Sequence, residues 1–204
     1  MKPPLPRFHA VTDERIARRP DLTELADALA AEAGPALALH ARGRDLSGLE
    51  HFDLATRLSA HPPARLFVND RLDIALACGA SGVQLAAGSL DPEDARRLDT
   101  QWWIGKSVHT LAEAEAAQQA GADYLLLGPV FPTATHPTRD PIASATLAAI
   151  VALRLPVIAI GGVTAGKVPA LRAAGVYGVA AIRMFWDAVD GPHAARLLRQ
   201  EWNQ

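Results

Sequence analysis

Leu66-Phe67-Val68-Asn69-Asp70-Arg71-Leu72-Asp73-Ile74-Ala75-Leu76, followed closely by Gly82-Val83-Gln84-Leu85-Ala86-Ala87-Gly88-Ser89, decides how the chain is read. A short apolar run ends in a polar pair and passes directly into a run with helical spacing. A second apolar run then ends at a Gln. Strand, helix, strand with so short a second connection is one unit of a parallel sheet covered by helices.

The same unit recurs in both directions. Apolar runs predict strands at Phe8–Thr12, Ala36–His40, Arg65–Asn69, Gly82–Leu85, Trp103–Ser107, Tyr124–Gly128, Val157–Ile160 and Gly178–Ile182. Ala/Leu-rich amphipathic runs predict helices at Asp21–Glu32, Leu46–Ser59, Asp70–Cys78, Pro92–Leu98, Leu111–Gln119, Ser144–Val151, Ala165–Ala173 and Gly191–Glu201. Eight such units in 204 residues predict a single-domain α/β chain, a compact (β/α)8 TIM barrel; an open doubly wound sheet is the alternative. Gly121 and Gly175 follow helical runs where a left-handed cap is needed, and Asp91-Pro92 reads as a helix start. Residues 1–7 and the last three read as frayed ends.

Composition narrows the classes. The chain is half hydrophobic, enough for one sizeable core. A net charge of −2 without a basic run argues against nucleic-acid binding. The single cysteine, Cys78, excludes an internal disulfide, fits a reducing cytoplasm, and sits at a helix end as core filler. No apolar stretch approaches the roughly 20 residues of a membrane span, and the proline-rich start is no secretory signal. A small-molecule ligand is expected, and a homo-oligomer is compatible with these numbers.

In a barrel, chemistry gathers at the C-terminal ends of the strands. Those ends carry Thr12-Asp13, His40-Ala41-Arg42, Asn69-Asp70, Gln84, Ser107 with His109, Gly128 through His136, Gly161-Gly162, and Ile182-Arg183. Gly161-Gly162 before a helix lets backbone N–H groups approach an anion, and barrels often bind phosphate after strands seven and eight. Thr133 and Thr135 add hydroxyl donors, with Ile182 and Arg183 on the neighbouring strand; Arg183 either meets the phosphate or covers the rim. Asp70 can hold magnesium or cap the helix it precedes. Asp13 is open in the same way, and Asp73 reads as a buried salt-bridge partner. His136 is a site imidazole or a plain surface histidine; His109 is a second candidate or a helix starter.

Phe8-His9-Ala10-Val11-Thr12-Asp13, Val68 through Leu76, Gly105-Lys106-Ser107-Val108-His109-Thr110, Gly121-Ala122-Asp123-Tyr124, Gly128-Pro129-Val130-Phe131-Pro132-Thr133 and Ile160-Gly161-Gly162-Val163-Thr164 together resemble the thiamine phosphate synthase/TenI superfamily. The resemblance spans nearly the whole chain. It implies a (β/α)8 barrel, thiamine biosynthesis and a thiazole phosphate ligand.

The superfamily holds two activities. The synthase joins a pyrimidine methyl diphosphate to a thiazole phosphate and needs magnesium for the departing diphosphate. Its Gln-Leu-Arg-Glu-Lys run corresponds here to Ala38-Leu39-His40-Ala41-Arg42, and its Gly-Gln-Glu-Asp run to Ala86-Ala87-Gly88-Ser89, so the second acidic ligand is missing. Its strand-six Lys aligns with His136, neutral for much of the time near pH 7. These departures, with Val83-Gln84-Leu85, Gly88-Ser89 and Lys106-Ser107-Val108-His109, resemble the TenI branch. The resemblance therefore implies a thiazole tautomerase, an isomerase that moves one proton and needs no metal. Pro129 stands where TenI carries its proposed catalytic His, so His136 or His40 is expected to supply the imidazole. Arg42, Asn69, Gln84, Ser107 and His109 are expected to bind substrate, and Thr133, Thr135, Gly161, Gly162, Ile182 and Arg183 its phosphate. The alternatives are a synthase with magnesium on Asp70, and a non-catalytic thiazole phosphate binder.

Overall fold

A computed structural model describes residues 2–133, 139–187 and 191–202. Its strands are β1 (Phe8–Val11), β2 (Leu37–Ala41), β3 (Arg65–Asn69), β4 (Gly82–Leu85), β5 (Trp103–Val108), β6 (Tyr124–Leu127), β7 (Val157–Ile160) and β8 (Gly178–Ala181). All pair in parallel and in sequence order, and β8 closes onto β1, with Phe8 opposite Val179. The expected closed barrel is the fold, and the open sheet is excluded.

The covering helices are α1 (Glu14–Ala17), α2 (Leu22–Ala33), α3 (Gly48–Ser59), α4 (Leu72–Ala77), α5 (Pro92–Leu98), α6 (Leu111–Gln119), α7 (Ser144–Val151), α8 (Val168–Ala173), α9 (Arg183–Trp186) and α10 (Gly191–Trp202). The short α1 and α9 were not foreseen; each is a single turn between a strand and its main helix. Gly121 and Gly175 take the expected positive φ, 82° and 84°. Pro92 sits at the start of α5, but Asp91 makes no side-chain cap bond there.

Strand alternation divides the core in two. Leu66 and Val68 of β3 face outward and join the layer between barrel and helices. Phe67 faces inward with Val11, Ala38, Tyr124, Leu126, Ile158 and Ala180. Large rings fill the barrel because two neighbouring positions are glycine. A Cβ on Gly82 would lie 2.4 Å from Phe67 Cε1, and one on Gly105 2.2 Å from Tyr124 Cζ. Any larger residue there would displace a ring from a close-packed interior.

The N-terminal segment is ordered rather than frayed. Trp103 Nε1 donates to Pro3 O at 3.0 Å, Tyr177 Oη to Leu5 O at 2.7 Å, Arg65 to Pro4 O, and Lys2 pairs with Asp123 at 3.1 Å. Leu5 is buried against the inner core. The carbonyls of Pro3, Pro4 and Leu5 thus recruit donors from Trp103, Arg65 and Tyr177, and the segment plugs the bottom of the barrel.

Candidate active site

The strand ends open into a cavity of about 1220 Å³ at the C-terminal mouth. Its floor is apolar, made by Val11, Leu126, Ile160 and Ala180, and polar groups stand at opposite sides.

On one side are the loops after β7 and β8. Gly161 and Gly162 have φ of 97° and 62°. A Cβ on Gly161 would lie 2.7 Å from Pro129 Cα, and one on Gly162 2.3 Å from Pro132 O, so glycine is required twice over. The Lys167 ammonium braces this turn, donating to Gly162 O at 2.8 Å while lying over the Phe131 ring. Among the described residues, the amides of Gly162, Val163 and Arg183 donate to no backbone carbonyl. Free amides around a concave turn are chemically suited to an anion. Thr133, Ile182 and Arg183 line the same side, as expected from the sequence. Thr135 lies outside the described residues.

Across the mouth are the loops after β2 and β3. Thr12 Oγ1 accepts the Arg42 N–H at 2.9 Å and lies 2.7 Å from Arg42 O, so the end of β1 sets the start of the β2 loop. The Arg42 guanidinium is half-buried and forms no ion pair among the described residues. Burial and then the neighbouring Arg44 weaken its hold on its proton, opposed by Glu14, Asp13 and Asp70. A guanidinium nevertheless stays charged. Two adjacent guanidiniums lining a cavity suit a multiply charged anion.

Asp70 stands beside them. It is not a helix cap: its φ is 58°, the Arg71 N–H turns back to Asn69 O at 2.7 Å, and α4 cannot start before Leu72. The left-handed backbone costs about 1 kcal/mol in a non-glycine residue. It is held by Asp70 N–H donating to Gln84 O at 3.1 Å and by Asp70 Oδ1 accepting the Ala86 N–H at 2.8 Å. Asp13, by contrast, caps α1 through Ile16 N–H at 2.9 Å, and Asp73 pairs with Arg71 at the surface rather than in the interior.

His109 lies at the mouth with both ring nitrogens engaged. Nδ1 donates to Gly128 O, and Nε2 accepts from Arg139 Nη1 at 3.0 Å. Those partners fix the Nδ1–H tautomer. Ser107 also lines the cavity; its Oγ accepts from Gln84 Nε2 at 3.1 Å. Gln84, expected to bind substrate, is itself fully buried and does not line the cavity.

His40, expected as a mouth-facing acid or base, is instead fully buried and does not line the cavity. Its inward place on β2 stops the short imidazole in mid-barrel, stacked at 5.2 Å on Phe67. Its Nε2 is 2.8 Å from His9 Nδ1, and its Nδ1 is 3.0 Å from Asn69 Oδ1, so it reaches the mouth only through Asn69. Burial lowers its pKa to about 4. His136 lies outside the described residues. Arg44, Arg71, Arg139 and Lys167 line the cavity and were missed; all but Arg139 fall within two to seven residues of a site glycine or strand end, which is the only signal they gave.

Among the described residues no group of three His, Cys, Asp or Glu converges, and Asp70 is the one carboxylate lining the cavity. The loop after β4 offers Ala86 and Ala87, while Ser89 O and Leu90 O are tied back by Lys106 Nζ at 3.1 and 2.9 Å. Magnesium commonly binds one or two carboxylates and completes its shell with phosphate oxygens and water, so Asp70 fits a site shared with a diphosphate.

A profile of the TMP-TENI family, described as thiamine monophosphate synthase, matches residues 8–185. The thiamine-phosphate synthase of Salinispora tropica is 40% identical over 207 residues, covering 97% of this chain and 99% of the relative. That of Pyrococcus abyssi is 36% identical over 198 residues, covering 95% and 93%. The solved thiamine phosphate pyrophosphorylase of Pyrococcus furiosus superposes with a TM-score of 0.79 at 31% identity, covering 95% of this chain and 94% of that one. These relatives overturn the expectation of a TenI-type tautomerase, which rested on three side-chain departures at one edge of the mouth. On this combined evidence of fold, mouth and sequence, the chain belongs to the thiamine monophosphate synthase family.

Proposed function

We propose that the protein is a transferase, a thiamine-phosphate synthase. What supports this reading is that one cavity with an apolar floor is lined by two separate sides rich in donors suited to anions, the amides of the glycine turn and the Arg42 and Arg44 guanidiniums. A proton-shifting isomerase acting on a single phosphate needs one such side; a reaction between a phosphate ester and a diphosphate ester needs two.

The free amides of Gly162, Val163 and Arg183, with the Arg183 and Thr133 side chains, seat the thiazole phosphate. Arg42 and Arg44 face the diphosphate of the pyrimidine substrate. Asp70 would hold magnesium beside the same group, and a bound ion would supply charge neutralisation for the leaving oxygens. The C–O bond to diphosphate breaks and the diphosphate leaves with the electron pair; the thiazole nitrogen then donates a pair to the methylene carbon. Products are thiamine phosphate and inorganic diphosphate. Val11, Leu126, Ile160 and Ala180 shield the electron-poor carbon from water between these steps.

The missing second carboxylate has a local compensation in this reading. Ser89 leaves less negative charge to hold the cation, and Arg42 and Arg44 supply fixed positive charge directly. The test is to incubate the purified protein with both substrates and magnesium and to oxidise the product to thiochrome. Fluorescence that requires both substrates supports the reading; no fluorescence at any magnesium concentration rejects it.

A further inference from the structure

A hydrogen-bonded chain runs through the barrel from the bottom plug to the mouth. Pro6 O lies 3.0 Å from His9 Nε2, His9 Nδ1 2.8 Å from His40 Nε2, and His40 Nδ1 3.0 Å from the Asn69 side-chain amide. Both rings are fully buried, His9 packed against Phe67 and Tyr124 and His40 against Phe67. Among the described residues no carboxylate touches either ring.

The first partner sets the polarity of the whole chain. A carbonyl only accepts, so His9 Nε2 carries a proton. A neutral His9 then accepts at Nδ1, which requires His40 Nε2 to donate. A neutral His40 then accepts at Nδ1. The residue beyond it must therefore donate, and the Asn69 atom at that position is Oδ1, another acceptor. Either the pair carries an extra proton, or the amide presents its other, isosteric end.

We propose that His9 and His40 are positioning residues that fix the Asn69 amide with its NH2 toward His40 and its oxygen toward the mouth beside Asp70. The surroundings favour this resolution over a buried imidazolium. Burial lowers both histidines, His9 further through repulsion by His40. An uncompensated charge among aromatic rings is costly, whereas exchanging the two ends of an amide costs no volume. The consequence is chemical: Asn69 offers the ligand an acceptor, so the ligand group it meets is an N–H or O–H donor and not a diphosphate oxygen. A proline carbonyl at the barrel bottom thereby decides what the mouth recognises.

Long-range 1H–15N NMR of the intact protein at pH 7 reads the tautomers directly. Both His9 and His40 should be neutral Nε2–H rings; either ring doubly protonated overturns the proposal. Kinetics give a second arm, which rests on the synthase reading. His9→Phe severs the relay far from any substrate and should raise the KM of the pyrimidine diphosphate about tenfold with kcat within about twofold. His9→Gln can donate to Pro6 O and accept from His40, and should restore KM to within about twofold of the parent. Equal damage in both variants, or none in either, contradicts the proposal. If the parent makes no product, the synthase reading fails while the NMR result still decides this one. The same NMR result decides it if His9→Phe does not fold.

Discussion

Asp70 Oδ1 accepts the backbone N–H of Ala86 at 2.8 Å, a bond that ties the only cavity-lining carboxylate among the described residues to the loop after the next strand. The bond holds Asp70 in a left-handed backbone at φ 58° and aims its carboxylate at the mouth. Asn tolerates that backbone and can keep the contact through its own oxygen. Asp70→Asn should therefore fold normally and lose the anionic charge alone. The expected fall in kcat/KM is about 100-fold, roughly 2.7 kcal/mol of transition-state stabilisation. Steady-state kinetics together with an unchanged Tm check this.

Ser89→Asp is the converse experiment. It adds a carboxylate to a loop whose carbonyls are already anchored by Lys106. The half-saturating magnesium concentration should fall, by about tenfold for a second hard oxygen ligand. A magnesium titration of initial rates measures it.

Gly162→Ala should be severe. Its Cβ would meet Pro132 O at 2.3 Å in a backbone of φ 62°, so the turn must move and with it the amides of Gly162 and Val163. The KM for the thiazole phosphate should rise more than tenfold, with that of the diphosphate substrate changed much less. Varying each substrate separately distinguishes the two sides of the mouth.

Acid stability follows from the buried pair. The pKa of His40 falls from 6.5 to about 4 on folding, so between those values the unfolded chain binds more protons than the folded one. Stability is full above pH 6.5 and declines as pH falls toward 4, by roughly 3 kcal/mol from this residue. His9 is shifted the same way. Glu50 and Asp73, also lowered, lose their stabilising contribution only in the lower carboxylate range. The drop in Tm between pH 6.5 and 5 therefore belongs to the histidines, and His40→Gln should reduce it while leaving the part that burial of His9 contributes. Thermal melts across that interval provide the comparison.

The barrel was legible because each strand–helix unit is written locally, in an apolar run of four to six residues followed by helical spacing. The glycine turn at the mouth was legible for the same reason: Gly161-Gly162 needs only its neighbours to be read. What escaped depends on register and distance. That His40 stops inside the barrel follows from its facing Phe67 across β2 and β3, which no local pattern states. That residues 2–6 form a plug depends on donors such as Trp103 and Tyr177, far along the chain. The tautomerase expectation failed on a related point. Losing Glu and Asp at one edge was read as losing the diphosphate, whereas Arg42 and Arg44 still present charge across the floor from the glycine turn.

The most direct test of the two-sided mouth is 31P NMR of one reaction mixture containing the protein, magnesium, thiazole phosphate and the pyrimidine methyl diphosphate. The account predicts that the diphosphate-ester resonances convert into inorganic diphosphate, one equivalent for each thiamine phosphate formed, and only while thiazole phosphate remains. An unchanged diphosphate ester alongside a chemically altered thiazole would contradict it.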